Sequence, residues 1–125
     1  MQCPVFTRLT PRTLTEVADQ MVAEKRPAGA VIVRQGDPGD KFYVIKSGRV
    51  DVIVEEAGTR RTVATLGPGN FFGEAALLTG APRNATVVAK EDLAVYTLGK
   101  EQFQAVLQAS ASFEEEVRKA LFERQ

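Results

Sequence analysis

The sequence predicts a mainly β domain, a sandwich or barrel of short strands with helices at both ends. Three observations lead there. From Pro27 to about Leu98 the chain is a series of short runs rich in Val, Ile, Phe, Tyr and Thr. Glycines cut those runs at even intervals, at Gly36, Gly39, Gly48, Gly58, Gly67, Gly69 and Gly80. On either side of this stretch the apolar pattern changes to helical spacing.

The first helix is expected over roughly residues 11–24. Thr10 suits the N-cap and Pro11 the first turn, where its missing N–H costs nothing. Leu14, Val17, Ala18 and Met21 then recur at helical spacing. The strand runs are Ala30–Arg34, Lys41–Lys46, Arg49–Glu55, Arg61–Leu66, Ala85–Ala89 and Leu93–Leu98. Within Arg49–Glu55 the apolar Val50, Val52 and Val54 alternate with Asp51 and Ile53, a half-buried pattern. Gly48 after Ser47, and Gly58 after Ala57, are expected to make tight hairpin turns. Gly67-Pro68-Gly69-Asn70 reads as a turn between strands rather than a phosphate loop. Beyond Leu98 two helices are expected over about 100–124, the first carrying Phe103, Val106 and Leu107. The second carries Phe113, Val117, Ala120 and Leu121, with Ser112 as its N-cap and Glu114, Glu115 and Glu116 in its first turn.

Composition narrows the function. At 125 residues the chain has room for one domain. Lys plus Arg equals Asp plus Glu at 16 each, and the charges are interleaved, so neither a nucleic-acid footprint nor a membrane patch is present. The absence of histidine removes the commonest metal ligand, the commonest general base and the Ser-His-Asp triad together. The single cysteine, Cys3, allows no internal disulfide. No apolar run approaches the length of a membrane span, and the N-terminus has no signal-peptide pattern, so a cytoplasmic setting is expected.

One stretch reads as neither strand nor ordinary loop: Phe71-Phe72-Gly73-Glu74-Ala75-Ala76-Leu77-Leu78-Thr79-Gly80-Ala81-Pro82-Arg83-Asn84-Ala85-Thr86-Val87. Gly73 permits a close approach of backbone or ligand, and a short helical turn over Glu74–Leu78 would leave free N–H groups for an anion. Arg83, ten residues past Gly73, offers a fork that binds a phosphate bidentately. Glu74 supplies an acceptor for hydroxyls such as those of a ribose. Together they describe a nucleotide monophosphate site.

These residues resemble the phosphate-binding cassette of cyclic-nucleotide-binding domains, whose pattern is close to F-G-E-x-A-L-[LI]-x-x-x-P-R-x-A-[TS]-V. Phe72, Gly73, Glu74, Ala76, Leu77, Leu78, Pro82, Arg83, Ala85, Thr86 and Val87 fill its fixed positions. The earlier run Arg34–Gly48 is similar to that family's glycine-rich barrel strands. The resemblance implies a β-roll or jelly-roll with an N-terminal helix and two C-terminal helices, the last serving as a lid. It implies a single domain over 1–125, with the roll at about 27–98 and the cassette at 72–87.

What the resemblance implies for the site can be placed residue by residue. Arg83 would pair with the cyclic phosphate and Glu74 would accept the ribose 2′-hydroxyl. The backbones of Gly73, Ala75 and Ala85 would close the pocket, with Phe72 and Thr86 flanking. Asn84 stands where cGMP-selective members tend to carry threonine, which leans the reading to cAMP, with cGMP as the alternative. Val63 and Leu66 would meet the base from the barrel, and Leu121 and Arg124 would cover it. The stretch Phe113–Arg124 is similar to bacterial cyclic-nucleotide-gated potassium channels.

The reading is therefore a regulatory sensor without metal or cofactor, attached to an output such as a channel or transporter, and not an enzyme. A cupin-type metalloenzyme on a similar barrel would need histidine clusters. The alternative is a degenerate member that binds protein instead of ligand, against which the intact Glu74 and Arg83 speak.

Overall fold

The computed structural model describes residues 12, 15, 17–73, 77, 80 and 82–123, the side chains of 120–123 excepted. Among these, eight strands form two four-stranded antiparallel sheets, followed by two helices. The strands are β1 (Val22–Arg26), β2 (Val31–Val33), β3 (Lys41–Ser47), β4 (Val50–Glu56), β5 (Thr59–Leu66), β6 (Phe71–Phe72), β7 (Thr86–Ala89) and β8 (Leu93–Gly99). The helices are α1 (Lys100–Ala109) and α2 (Ala111–Glu123). One sheet has the order β1-β8-β3-β6 and the other β2-β7-β4-β5, so the chain crosses between sheets repeatedly, as a jelly-roll does.

β3 shows how one sequence run serves two cores. Phe42 and Val44 face the helices, while Tyr43 and Ile45 face the opposite sheet. A strand covered on both faces loses polar alternation, which is why Phe42-Tyr43-Val44-Ile45 reads as one apolar block. Phe71 and Phe72 divide in the same way. The helix-side core gathers Phe42, Phe71, Phe103 and Phe113, all fully buried, with Leu98, Val106, Val117, Val17 and Leu77. The inter-sheet core gathers Ile45, Val50, Leu66, Phe72, Val87, Leu93 and Val95.

Three expectations are corrected. The first helix does not run to residue 24. Arg12, Thr15 and Val17 are helical, a 3-10 turn follows at Ala18–Gln20, and Val22–Arg26 is already strand β1, paired with β8 from Val22↔Thr97 to Arg26↔Leu93. The strand escapes an apolar-period search because its half-buried positions are Glu24 and Arg26, joined to each other as an ion pair. Gly48 does not close a hairpin, because β3 and β4 belong to different sheets. It takes φ +87° at the crossing, and a Cβ there would lie 2.3 Å from the Asp92 carbonyl oxygen. The cap of α2 is Ser110, not Ser112: the Phe113 N–H donates to Ser110 Oγ at 3.2 Å, and Ser112 lies inside the helix.

The Ala57-Gly58 turn is a hairpin as expected, with Glu56 paired to Thr59 across it. Both turn residues take positive φ, 51° and 79°, which matches the right-handed twist of the strands they join. At Gly67–Asn70 the Asn70 N–H returns to the Gly67 carbonyl at 3.0 Å, and Asn70 Oδ1 accepts the Gly67 N–H at 2.8 Å. This is a turn between strands, with Gly69 at φ +87°.

Candidate functional site

The cassette opens where β6 ends. Gly73 has φ +96°, and a Cβ on it would sit 2.8 Å from both Arg83 Nη1 and the Lys41 carbonyl oxygen. Any side chain there would have to displace main chain as well as the guanidinium, so the position requires glycine. The space it leaves is used by Arg83, which is 7% exposed. Its Nη1 donates to the Gly73 carbonyl at 3.3 Å and its Nη2 to the Lys41 carbonyl at 3.0 Å. Both anchors are main-chain oxygens, from β3 and from the residue after β6, so the sheet itself sets where the charge stands.

The Arg83 backbone is held from the other side. Its N–H donates to the Asp37 carbonyl and its carbonyl accepts the Gly36 N–H, each at 2.8 Å. Three residues on, Thr86 is buried in β7 and its Oγ1 accepts the Gln35 N–H at 2.9 Å. Arg83 therefore enters the site between a turn that fixes its backbone and a strand that fixes its side chain.

Beside it lies a cleft of about 200 Å³, walled by β2 (Val31, Ile32, Val33), by Arg34, Asp37, Pro38 and Asp40 of the next loop, and by Tyr43 and Arg83. Tyr43 stacks on Phe72 with centroids 4.8 Å apart and planes 9° from parallel. Burial raises the Tyr43 phenol above its ordinary range, partly offset by the positive charges of Lys41 and Arg83, so it stands neutral at pH 7. The cleft is thus a polar recess with two arginines and two aspartates around one neutral phenol.

The structure treats the anticipated site residues unequally. It brings Gly73 and Arg83 into contact, keeps Ala85 and Thr86 buried just beyond, and leaves Asn84 exposed next to Arg83. Phe72 is buried in the inter-sheet core, and Tyr43, not Phe72, walls the cleft. Leu66 belongs to that core too. Val63 is half-buried at an irregularity in the β4–β5 pairing, skipped between Val52↔Ala64 and Ile53↔Thr62. Neither Val63 nor Leu66 walls the cleft. Glu74, Ala75 and Arg124 lie outside the described residues, and Leu121 falls in α2 where side chains are not described.

Sequence reasoning missed Lys41 and Tyr43. Lys41 acts through its carbonyl, a group every residue carries, so no side-chain pattern marks it. Tyr43 had a signal: on a strand covered on both faces, it takes the face opposite Phe42.

A buried guanidinium held by main-chain carbonyls beside a positive-φ glycine, at the edge of a jelly-roll, has the chemistry to suit a small anion. Comparison with known proteins supplies the family. Residues 23–110 match the model of the cyclic nucleotide-binding domain, and the chain belongs to that family. It is 40% identical over 106 residues to a cAMP-dependent protein kinase regulatory subunit from Colletotrichum orbiculare, covering 85% of this chain and 27% of that protein. It is 39% identical over 121 residues to a cyclic nucleotide-gated potassium channel from Mesorhizobium japonicum, covering 97% of this chain and 32% of the channel. The crystal structure of the Thermus thermophilus catabolite activator protein superposes with a TM-score of 0.84 at 32% identity, over 93% of this chain and 55% of that one. The chain thus spans about a quarter to a third of the length of these curated relatives. Among the described residues, no helix is long and apolar enough to cross a membrane.

Proposed function

We propose that this chain is a cytoplasmic sensor module that binds cAMP in preference to cGMP. It passes the binding on through its C-terminal helices to an attached output such as a channel or transporter. It acts as a binder and not as an enzyme, and needs neither metal nor cofactor. The observation that carries the reading is the Arg83 seat: a buried guanidinium held by two main-chain carbonyls through a space only glycine leaves open.

In this reading Arg83 pairs with the cyclic phosphate, with Glu74 on the ribose 2′-hydroxyl and the Gly73, Ala75 and Ala85 backbones around them. Asn84, exposed beside Arg83, meets the base edge in this reading. Val63 and Leu66 face the base from the barrel, and Leu121 and Arg124 close over it. The preference for cAMP is supported by the kinase regulatory subunit relative, whose name specifies cAMP. The recess at Arg83, about 200 Å³, is below the roughly 300–1,000 Å³ of common small-molecule pockets, which suits the phosphate end of a nucleotide rather than the whole.

The relay has a short path. Lys41, whose carbonyl anchors Arg83, precedes Phe42, and Phe42 packs edge-on against Phe113 of α2 at 5.5 Å. A ligand that favours one arrangement of Arg83 shifts the helices by its differential affinity for the two states.

Calorimetric titration of the nucleotide-stripped chain with cAMP, cGMP and 5′-AMP tests the proposal. Micromolar or tighter binding of cAMP, weaker binding of cGMP and much weaker binding of 5′-AMP is the expected result. No heat and no thermal stabilisation with any of the three would overturn it and leave a protein-binding role for the fold.

A further inference from the structure

The turn at residues 34–37 clamps the Arg83 backbone, and one side chain holds the turn in place. The clamp is the reciprocal pair already described, Gly36 N–H to Arg83 carbonyl and Arg83 N–H to Asp37 carbonyl, each 2.8 Å. The turn closes on itself through the Asp37 N–H to the Arg34 carbonyl at 3.2 Å. Gln35 ties it to the roll. Its N–H donates to Thr86 Oγ1 at 2.9 Å. Its carboxamide takes both main-chain groups of Glu55: Nε2 donates to the Glu55 carbonyl at 3.0 Å, and the Glu55 N–H donates to Oε1 at 2.8 Å.

The place of that second pair is informative. The β4–β7 ladder runs from Val50↔Ala89 to Ile53↔Thr86 and stops there, because the chain before Thr86 leaves the sheet towards Arg83. β4 continues to Glu56. Glu55 thus presents an N–H and a carbonyl where β7 no longer supplies a partner, and the Gln35 amide stands in for the missing strand. The carboxamide is the side chain that reproduces a peptide's donor and acceptor together.

We propose that Gln35 is a positioning residue for Arg83: it caps the open end of β4, and so holds the turn that sets the arginine's backbone and the point where the cassette leaves the sheet. The proposal rests on Arg83 being the ligand's anion seat. Because the Gln35 side chain is exposed and its partners can turn to water, its loss should disturb the seat far more than the fold.

The test is Gln35→Ala in the full chain, combined with Arg83→Ala as a double-mutant cycle, with affinity read by displacement of a fluorescent cyclic nucleotide. Amide exchange at the Gly36 and Arg83 N–H groups is the second readout. Gln35→Ala is expected to weaken binding about tenfold in the parent, and less than about twofold when Arg83 is already alanine. Protection at Gly36 and Arg83 should fall while that of Val44 and Val95 in the core strands stays unchanged. Equal losses in both backgrounds, or unchanged protection at Gly36 and Arg83, would overturn the proposal. A parent that binds no cyclic nucleotide would sink the proposed function instead, and the exchange data would still decide whether Gln35 holds the clamp.

Discussion

Two neighbouring residues of β3, Phe42 and Lys41, serve regions built on opposite principles. On the helix side, Phe42 lies 5.3 Å from Phe71, 5.0 Å from Phe103 and 5.5 Å from Phe113, a cluster of apolar rings. One residue earlier, the Lys41 carbonyl accepts a hydrogen bond from Arg83, and the described part of the cassette is tied to the roll by directed hydrogen bonds that end on main-chain groups. The first region gains stability from burying area, which is undirected and large. The second gains direction, because each hydrogen bond fixes an angle but contributes only about 0.5–1.5 kcal/mol net. The aromatic core and the Arg83 guanidinium are thus held by adjacent residues of one strand but by different forces, and substitutions can separate them.

The strongest separation should come from Phe42→Ala. Removing a fully buried ring that packs against three other phenylalanines is expected to cost about 3–5 kcal/mol of stability. Urea unfolding would show it as a lower midpoint at constant slope. Ligand affinity measured well below the new midpoint should fall much less. A variant that loses affinity in proportion to stability would show that the aromatic cluster and the cassette are not separable.

The converse substitution is Arg83→Ala. It is expected to remove about 2–5 kcal/mol of cyclic-nucleotide binding, as for truncating one partner of a buried charge pair. It also leaves the Gly73 and Lys41 carbonyls without this donor, so stability should drop by about 1–3 kcal/mol. Titration and unfolding of the same preparation would measure both. Unchanged affinity would remove Arg83 from the phosphate role, and a loss of stability as large as that of Phe42→Ala would make it a core residue.

How much was legible in the sequence follows the same division. The apolar strands were readable because burial leaves a periodic trace, and the β4–β5 hairpin because Ala57-Gly58 is a turn that few other structures need. The Gly73–Arg83 relation was readable as a motif. Strand β1 was not, since its inward face is ionic, and Gly48 was readable as a positive-φ glycine but not as a crossing between sheets. A local conformation does not say which strand the chain will meet next. The Arg83 anchors and the Gln35 contact were equally invisible, because the partners these side chains meet are main-chain carbonyls and N–H groups, which leave no mark in the sequence.

The polar edge at β1 offers the smallest test and the finest one. Glu24 accepts from Thr97 Oγ1 at 3.1 Å, is joined to Arg26, and lies 3.5 Å from Nζ of Lys41, the residue whose carbonyl anchors Arg83. Burial pushes the Glu24 carboxyl up, but the hydrogen bonds from Arg26 and Thr97 and the charges of Lys41 and Arg26 outweigh it and hold the group below its usual 4.5. The folded chain therefore binds this proton less tightly than the unfolded chain. The stabilisation is fully present above the unfolded value and is lost as pH falls through the folded one. Melting temperature followed downwards from about pH 6 should drop for the parent faster than for Glu24→Gln, the two converging at the acid end. Parallel curves would mean that the ion pairs of β1 contribute nothing measurable, as many exposed pairs do. The order of the polar region would then rest on its hydrogen bonds rather than on its ion pairs.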